Sequence, residues 1–227
     1  MIEHLLPREV AAAAARGDDP LAVLFPEEAA QIHGAIESRV REFATGRACA
    51  RMALRKLHLP PVSIPRGATR EPVWPDGVVG SITHCRGYRA AAAAMRTSIA
   101  TIGIDAETDE PLPPGTLEQI AVAQEHDWLT AAPPGVHWDR VLFSAKESVF
   151  KAWFPVAGTW LGFEDAIVTI QPGSGTFHAR ILTPVPSQVR CDAITFGGRF
   201  MVRAGLILTA IVVRAGGGIA PYRDPMA

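Results

Sequence analysis

Three observations in this 227-residue chain predict an α+β fold of two similar lobes. Each half carries one long helical pattern, at 27–58 and at 138–153. Each pattern is followed by short apolar runs bounded by glycine and proline, which read as strands. Between the halves, Ile102-Gly103-Ile104-Asp105-Ala106-Glu107 reads as an extended segment where the lobes meet, near residue 103. The lobes are accordingly 1–103 and 104–227.

From the N-terminus, residues 10–16 and 27–58 read as helical. In the second stretch Val40, Phe43, Ala50, Leu54 and Leu57 form one apolar stripe at 3.6 residues per turn. Arg47, Arg51 and Arg55 follow its border at intervals of four. Pro60, Pro61 and Pro65 end the helix and open a loop to about Pro75. Val78–Thr83 and Ala90–Met95 read as strands joined at Arg86-Gly87, although uninterrupted alanines favour helix. After the prolines at 111–114 comes a short helix over 115–131. Trp138–Trp153 is the second long helix, stopped before Pro155. Residues 163–170 and 176–182 form a hairpin, and 206–213 is a buried strand.

Composition excludes several classes. The formal charge is -1, which argues against a general nucleic-acid binder. Its distribution is uneven: residues 1–96 have more basic than acidic side chains, whereas 104–139 hold acids and no lysine or arginine. The first region suits phosphates; the second needs a cation or faces water. Cys49, Cys85 and Cys191 fit neither a disulfide framework nor a structural zinc site, so a reducing, cytoplasmic setting is expected. No signal peptide is visible at the start. Leu206–Val213 is too short to span a bilayer, and no membrane partner is expected.

The period of two in a strand sets Asp105 and Glu107 on one face and Ile102 and Ile104 on the other. Two convergent carboxylates repel unless a cation lies between them, and a hard divalent ion such as Mg²⁺ is the usual answer. A third acid, Glu147, lies on the second long helix with Lys146 and Lys151 beside it. Three acids flanked by lysines suggest metal-assisted chemistry on a phosphorylated substrate. For Asp105 and Glu107 the plainer alternative is a strand end entering solvent; for Glu147 and Lys151 it is a surface ion pair.

Five segments carry a family resemblance: Phe-Ala-Thr-Gly-Arg-Ala-Cys-Ala-Arg (43–51), Ile-Pro-Arg-Gly-Ala-Thr-Arg-Glu-Pro-Val-Trp-Pro (64–75), Gly-Ser-Ile-Thr-His-Cys (80–85), Gly-Ile-Asp-Ala-Glu (103–107) and Phe-Ser-Ala-Lys-Glu-Ser-Val-Phe-Lys-Ala-Trp (143–153). In this order the chain resembles the 4'-phosphopantetheinyl transferases of the enterobactin-synthesis and surfactin type. The resemblance implies a pseudo-twofold monomer with coenzyme A and Mg²⁺ (or Mn²⁺) between the lobes. It implies transfer of the phosphopantetheine arm to a serine of an acyl or peptidyl carrier protein, releasing adenosine 3',5'-bisphosphate. Siderophore, polyketide and non-ribosomal peptide pathways are the expected settings.

By the same resemblance Asp105, Glu107 and Glu147 are metal ligands. Lys151 and Lys146 contact coenzyme A, and either Glu147 or a bound water takes the serine proton. Arg47 and Arg55 hold the 3'-phosphate, with Arg66 and Arg70 beside it and an Arg-Glu pair with Glu71 fixing that loop. Ser81, Thr83 and His84 line the coenzyme A site, His84 as a pyrophosphate ligand whose pKa rises near phosphate. Cys85 packs in the core, and Arg39 and Arg41 read as a solvated helix edge. Two alternatives stand beside this reading: a Mg²⁺-dependent nucleotide phosphohydrolase using water, and a non-catalytic binder of coenzyme A or carrier protein.

Overall fold

The computed structural model describes residues 1–184 and 195–216. Cys191 and the Gly216–Gly218 run beyond its first residue lie outside them. A three-stranded antiparallel sheet is built from β1 (Ala11–Arg16), β2 (Val78–Cys85) and β3 (Tyr88–Met95), in the order β1-β3-β2. A five-stranded antiparallel sheet orders β4 (Ile99–Thr108), β8 (Leu206–Arg214), β7 (Thr195–Arg203), β6 (Thr176–Ile181) and β5 (Ala166–Gln171). The helices are α1 (Pro26–Ala30), α2 (Glu37–Lys56), α3 (Leu117–Ile120), α4 (Ala123–Thr130) and α5 (Trp138–Ala157). This is the α+β arrangement of two sheet-containing lobes. Residue 103 falls within β4, and the change of sheet comes between Met95 and Ile99.

The alanine runs behave differently from their propensity. Residues 11–16 form β1, not a helix, and pair with β3 from Ala11↔Ala93 to Arg16↔Tyr88. A run this short cannot repay helix nucleation alone, so tertiary pairing decides. On β3, Ala91 and Ala93 face Cys49, Ala50, Ala53 and Leu54 of α2. Ala90, Ala92 and Ala94 face a second cluster with Ile99, Ile102, Ile104, Ala106 and Leu208. Small side chains on both faces let α2 and the other lobe approach the same strand closely.

Other boundaries moved for local reasons. The 27–58 helix is interrupted before α2, where Gly34 has φ +79°. The 115–131 helix divides into α3 and α4. α5 runs past Pro155 to Ala157, because a proline in the last turn forfeits only one intrahelical bond, and Gly158 closes it in the left-handed conformation. β7 carries Gly197-Gly198 within its span. At Gly198 a Cβ would overlap the Phe177 ring, so glycine there seats an aromatic on the neighbouring strand.

One device occurs in both lobes. Glu28 on α1 is fully buried. It accepts from its own helix start at Phe25 N (2.9 Å), from Arg51 of α2 (2.9 and 3.0 Å) and from Ile64 N (2.8 Å). Glu125 on α4 accepts from Val122 N (2.9 Å) and Val168 N (2.7 Å), and pairs with Lys146 of α5 (2.8 Å). In each case a short helix is pinned to the long helix and to the chain beyond it by one carboxylate. Removing the carboxylate strands a buried cation and two amides. Glu28→Ala and Glu125→Ala should therefore each cost about 3–5 kcal/mol. Urea denaturation would register this as a lower midpoint, and a loss below about 1 kcal/mol would contradict the pairing.

Candidate active site

β4 and α5 meet so closely that only glycine fits between them at 103, where a Cβ would overlap the Ser148 carbonyl. That approach delivers Asp105, 4 % exposed, to the face of α5. Its Oδ1 accepts from Lys151 Nζ (2.6 Å) and Thr83 Oγ1 (3.1 Å), and its Oδ2 from Ser144 Oγ (2.8 Å). Thr83 Oγ1 also accepts from Ala106 N (3.0 Å), and Ser81 Oγ accepts from Ile104 N (3.1 Å). Hydroxyls of β2 thus satisfy the backbone of β4 across the lobe boundary. Thr83 is buried in this linkage, which gives it a structural task that the sequence did not reveal.

The acids lie in a poorly hydrated setting. Burial first, then Asp105, pushes Glu107 up to about 7, although Arg140 Nη1 stands 3.0 Å away. Burial also raises Glu147, with Asp105 adding to the effect and Lys151 opposing it. Burial works against the Lys151 charge, but Asp105 and Glu147 outweigh it and raise its pKa. Among the described residues no group of three or more His, Cys, Asp or Glu is gathered closely enough to hold a metal ion. The three expected ligands are therefore not assembled here; Lys151 stands on Asp105 and Arg140 on Glu107. Their chemistry nevertheless fits a hard divalent cation: all are carboxylates, and two have pKa values raised partly by Asp105.

A cavity of about 550 Å³ opens between the lobes beside Lys151. Trp74, Ile82, Ile102, Phe150 and Phe154 supply its apolar wall, with Arg70 and Ser81 also on the lining. Arg70 holds φ +72° in the loop above it. That loop is fixed by Glu71, which accepts from Thr69 N (3.0 Å) and Thr69 Oγ1 (2.6 Å) and lies over Gly67. The expected Arg-Glu pair is replaced by a threonine.

The arginines of α2 separate because each step of four residues turns a helix by about 40°. Arg47 donates to Ile64 O (2.6 Å) and stacks on Phe43 at 4.2 Å, with Arg66 over the same ring at 4.7 Å. Burial lowers Arg47 to about 10, which leaves it charged. Arg51 is spent on Glu28. Arg55 lines a different recess with Leu21, Val23, Phe25 and Met52. Lys146 is also turned away from the cavity. Besides Glu125 it donates to the carbonyls of Ile120 (2.8 Å), Phe163 (2.7 Å) and Ala166 (3.0 Å), so it holds its own lobe together.

His84 receives Arg39 Nη1 on Nε2 at 2.9 Å, and Glu42 Oε1 lies 3.3 Å from the same nitrogen. Partial desolvation, then Arg39, lowers it to about 4, so without phosphate it is neutral rather than cationic. Arg39, although 40 % exposed, is engaged by both His84 and Glu42. Its spacing of four from Phe43, itself four before Arg47, was the available signal. Cys85 is only partly buried, and its thiol is pushed up to about 12 by burial, which suits an inert role.

Models of two families match the chain: the 4'-phosphopantetheinyl transferase N-terminal domain over residues 27–94, and the 4'-phosphopantetheinyl transferase superfamily over 101–202. The 4'-phosphopantetheinyl transferase Svp of Streptomyces mobaraensis is 50% identical over 206 residues, covering 89% of this chain and 84% of that protein. The chain belongs to the 4'-phosphopantetheinyl transferase superfamily. Two further relatives carry the same description. Npt of Nocardia iowensis is 42% identical, covering 93% of this chain and 99% of its own; PptT of Mycobacterium tuberculosis is 44% identical, covering 94% and 98%. Membership agrees with the resemblance read from the five segments, within the Svp, Npt and PptT subgroup. Among the described residues no helix is long and apolar enough to cross a membrane.

The closeness at Gly103 is directly testable. Gly103→Ala has no flexible neighbour to displace, since the obstacle is the α5 backbone. It should lose at least ~90% of activity while thermal unfolding stays cooperative, because α5 shifts and Lys151 leaves Asp105. Full activity in the folded variant would contradict the packing argument.

Proposed function

We propose that this phosphopantetheinyl transferase moves the 4'-phosphopantetheine arm of coenzyme A onto a carrier-protein serine between the two lobes. The observation that carries the reading is Lys151 of α5, which touches Asp105 and the 550 Å³ interlobe cavity at once. The apolar wall formed by Trp74, Ile82, Ile102, Phe150 and Phe154 suits the slender pantetheine arm. Lys151 then meets the pyrophosphate, and Arg47, Arg66 and Arg70 favour the adenosine 3'-phosphate through planar or extended cationic contacts.

In the reaction the serine oxygen attacks the phosphorus bearing the pantetheine arm. The bond to the adenosine-side oxygen breaks, and adenosine 3',5'-bisphosphate leaves. The serine proton passes to Glu147, directly or through a bound water, and burial raises the pKa of that carboxyl above its ordinary value. Asp105, Glu107 and Glu147 would hold Mg²⁺ (or Mn²⁺), which when bound neutralises charge on the leaving phosphate. Lys151 and His84 orient the pyrophosphate. A monomer serving carriers of siderophore, polyketide or peptide synthesis is the proposed setting.

Incubation with coenzyme A, Mg²⁺ and an apo carrier protein tests the reading by intact mass. The carrier should gain one phosphopantetheine; release of inorganic phosphate with an unchanged carrier would instead identify a hydrolase, and binding without turnover an adaptor. Asp105→Ala and Glu147→Ala should each lower turnover at least ~100-fold. Near-normal rates in either folded variant would remove that residue from the mechanism.

Arg47→Ala should raise the KM for coenzyme A roughly tenfold and leave 3'-dephospho-coenzyme A little affected. Arg55→Ala should discriminate less between the two, given its separate recess. The reverse order would reassign the 3'-phosphate to Arg55.

A further inference from the structure

Glu42 on α2 is an acid surrounded by basic side chains from α2, β2 and β3. It forms an ion pair with Arg39 one helical turn before it, stands 3.3 Å from His84 Nε2, and lies 3.8 Å from Arg89 Nη2. Arg89 has a second partner, Asp18 at 2.8 Å, so its charge is answered without Glu42. Arg39 is different: among the described residues, Glu42 is the carboxylate paired with it, and the neutral His84 accepts from Arg39 at Nε2. All three side chains remain partly exposed, Glu42 at 21 %, Arg39 at 40 % and His84 at 44 %. The Arg66 and Arg70 charges also act on Arg39, as its lowered pKa records after desolvation. An anion with several oxygens could satisfy these cations better than one carboxylate, but it would meet Glu42 in the same place.

We propose that Glu42 is a displaceable counter-anion. It holds Arg39, which in turn donates to His84, while no phosphoryl group is bound, and by returning to Arg39 it speeds departure of the phosphate-bearing product. The inference rests on the transferase reading, in which adenosine 3',5'-bisphosphate leaves with phosphates that the basic cleft attracts. A site with only cations would bind that product tightly, and slow release can limit turnover. A carboxylate competing for the same cations weakens substrate and product alike, and it keeps the cations oriented between cycles. Neither His84 nor Glu42 touches the carrier serine in this account, so Glu42 is a positioning residue.

The test is inhibition by adenosine 3',5'-bisphosphate, with coenzyme A and 3'-dephospho-coenzyme A binding measured by calorimetry. Glu42→Gln keeps the shape and removes the charge. Its product inhibition constant should fall about three- to tenfold, and its Kd for coenzyme A should fall with it. Glu42→Asp retains a carboxylate and should return both toward wild type. Equal tightening for 3'-dephospho-coenzyme A assigns the displaced contact to the pyrophosphate; tightening confined to coenzyme A assigns it to the 3'-phosphate. An unchanged or larger inhibition constant in Glu42→Gln overturns the proposal, as does an Asp variant that behaves like the Gln variant. Failure of the parent reading looks different, because wild-type protein would then bind neither coenzyme A nor adenosine 3',5'-bisphosphate.

Discussion

The Asp105 carboxylate is removed from water, and a buried charge persists only where other charges and hydrogen bonds answer it. Its partners come from β2, from the middle of α5 and from the turn of α5 facing β8. Much of the architecture follows from assembling them. Gly103 lets α5 approach, Thr83 carries the bond from the other lobe, and Ser144 ties the same carboxylate to Thr209 (3.0 Å). The lobes are therefore joined at the residue proposed to do chemistry, and the cleft cannot open there without unpairing that charge.

The same requirement sorts the other ion pairs into two kinds. Glu28–Arg51 and Glu125–Lys146 are buried, and their carboxylates also accept backbone N–H groups, so nothing from outside can replace them. Lys151–Asp105, Arg140–Glu107 and Arg39–Glu42 each keep at least one partner partly exposed, and Lys151 lines the cavity. Each of these satisfies a charge that a ligand of opposite sign could satisfy instead.

Much of this was legible in the sequence, for stated reasons. A strand's period of two correctly predicted that Asp105 turns away from Ile102 and Ile104, and the 3.6-residue stripe through Val40, Phe43, Ala50 and Leu54 located α2. The helix reading failed at β1 because a run of alanines shows no contrast between faces, whereas Ala90–Met95 was read as the strand it is. β7 has no counterpart in the sequence reading; the reason for its Gly198, the Phe177 ring, lies on another strand. Site assignment was weakest where side chains of one type differ only in direction. Lys146 and Lys151 sit five residues apart on α5, yet one is locked inside its lobe and the other lines the cavity. Arg47 and Arg55 read alike as 3'-phosphate ligands until the helix turn separates them.

Lys56, Lys146 and Lys151 are the only lysines in the chain, so lysine side-chain NMR can follow the central contact site by site. With the side chains labelled at Cε, coenzyme A and Mg²⁺ should move the Lys151 signal strongly as its ammonium exchanges Asp105 for phosphate. Lys146, locked against Glu125 and three carbonyls, should stay where it is. A Lys151 signal that remains unchanged at saturating coenzyme A, while Lys146 moves, would contradict the account of how this site is held at rest.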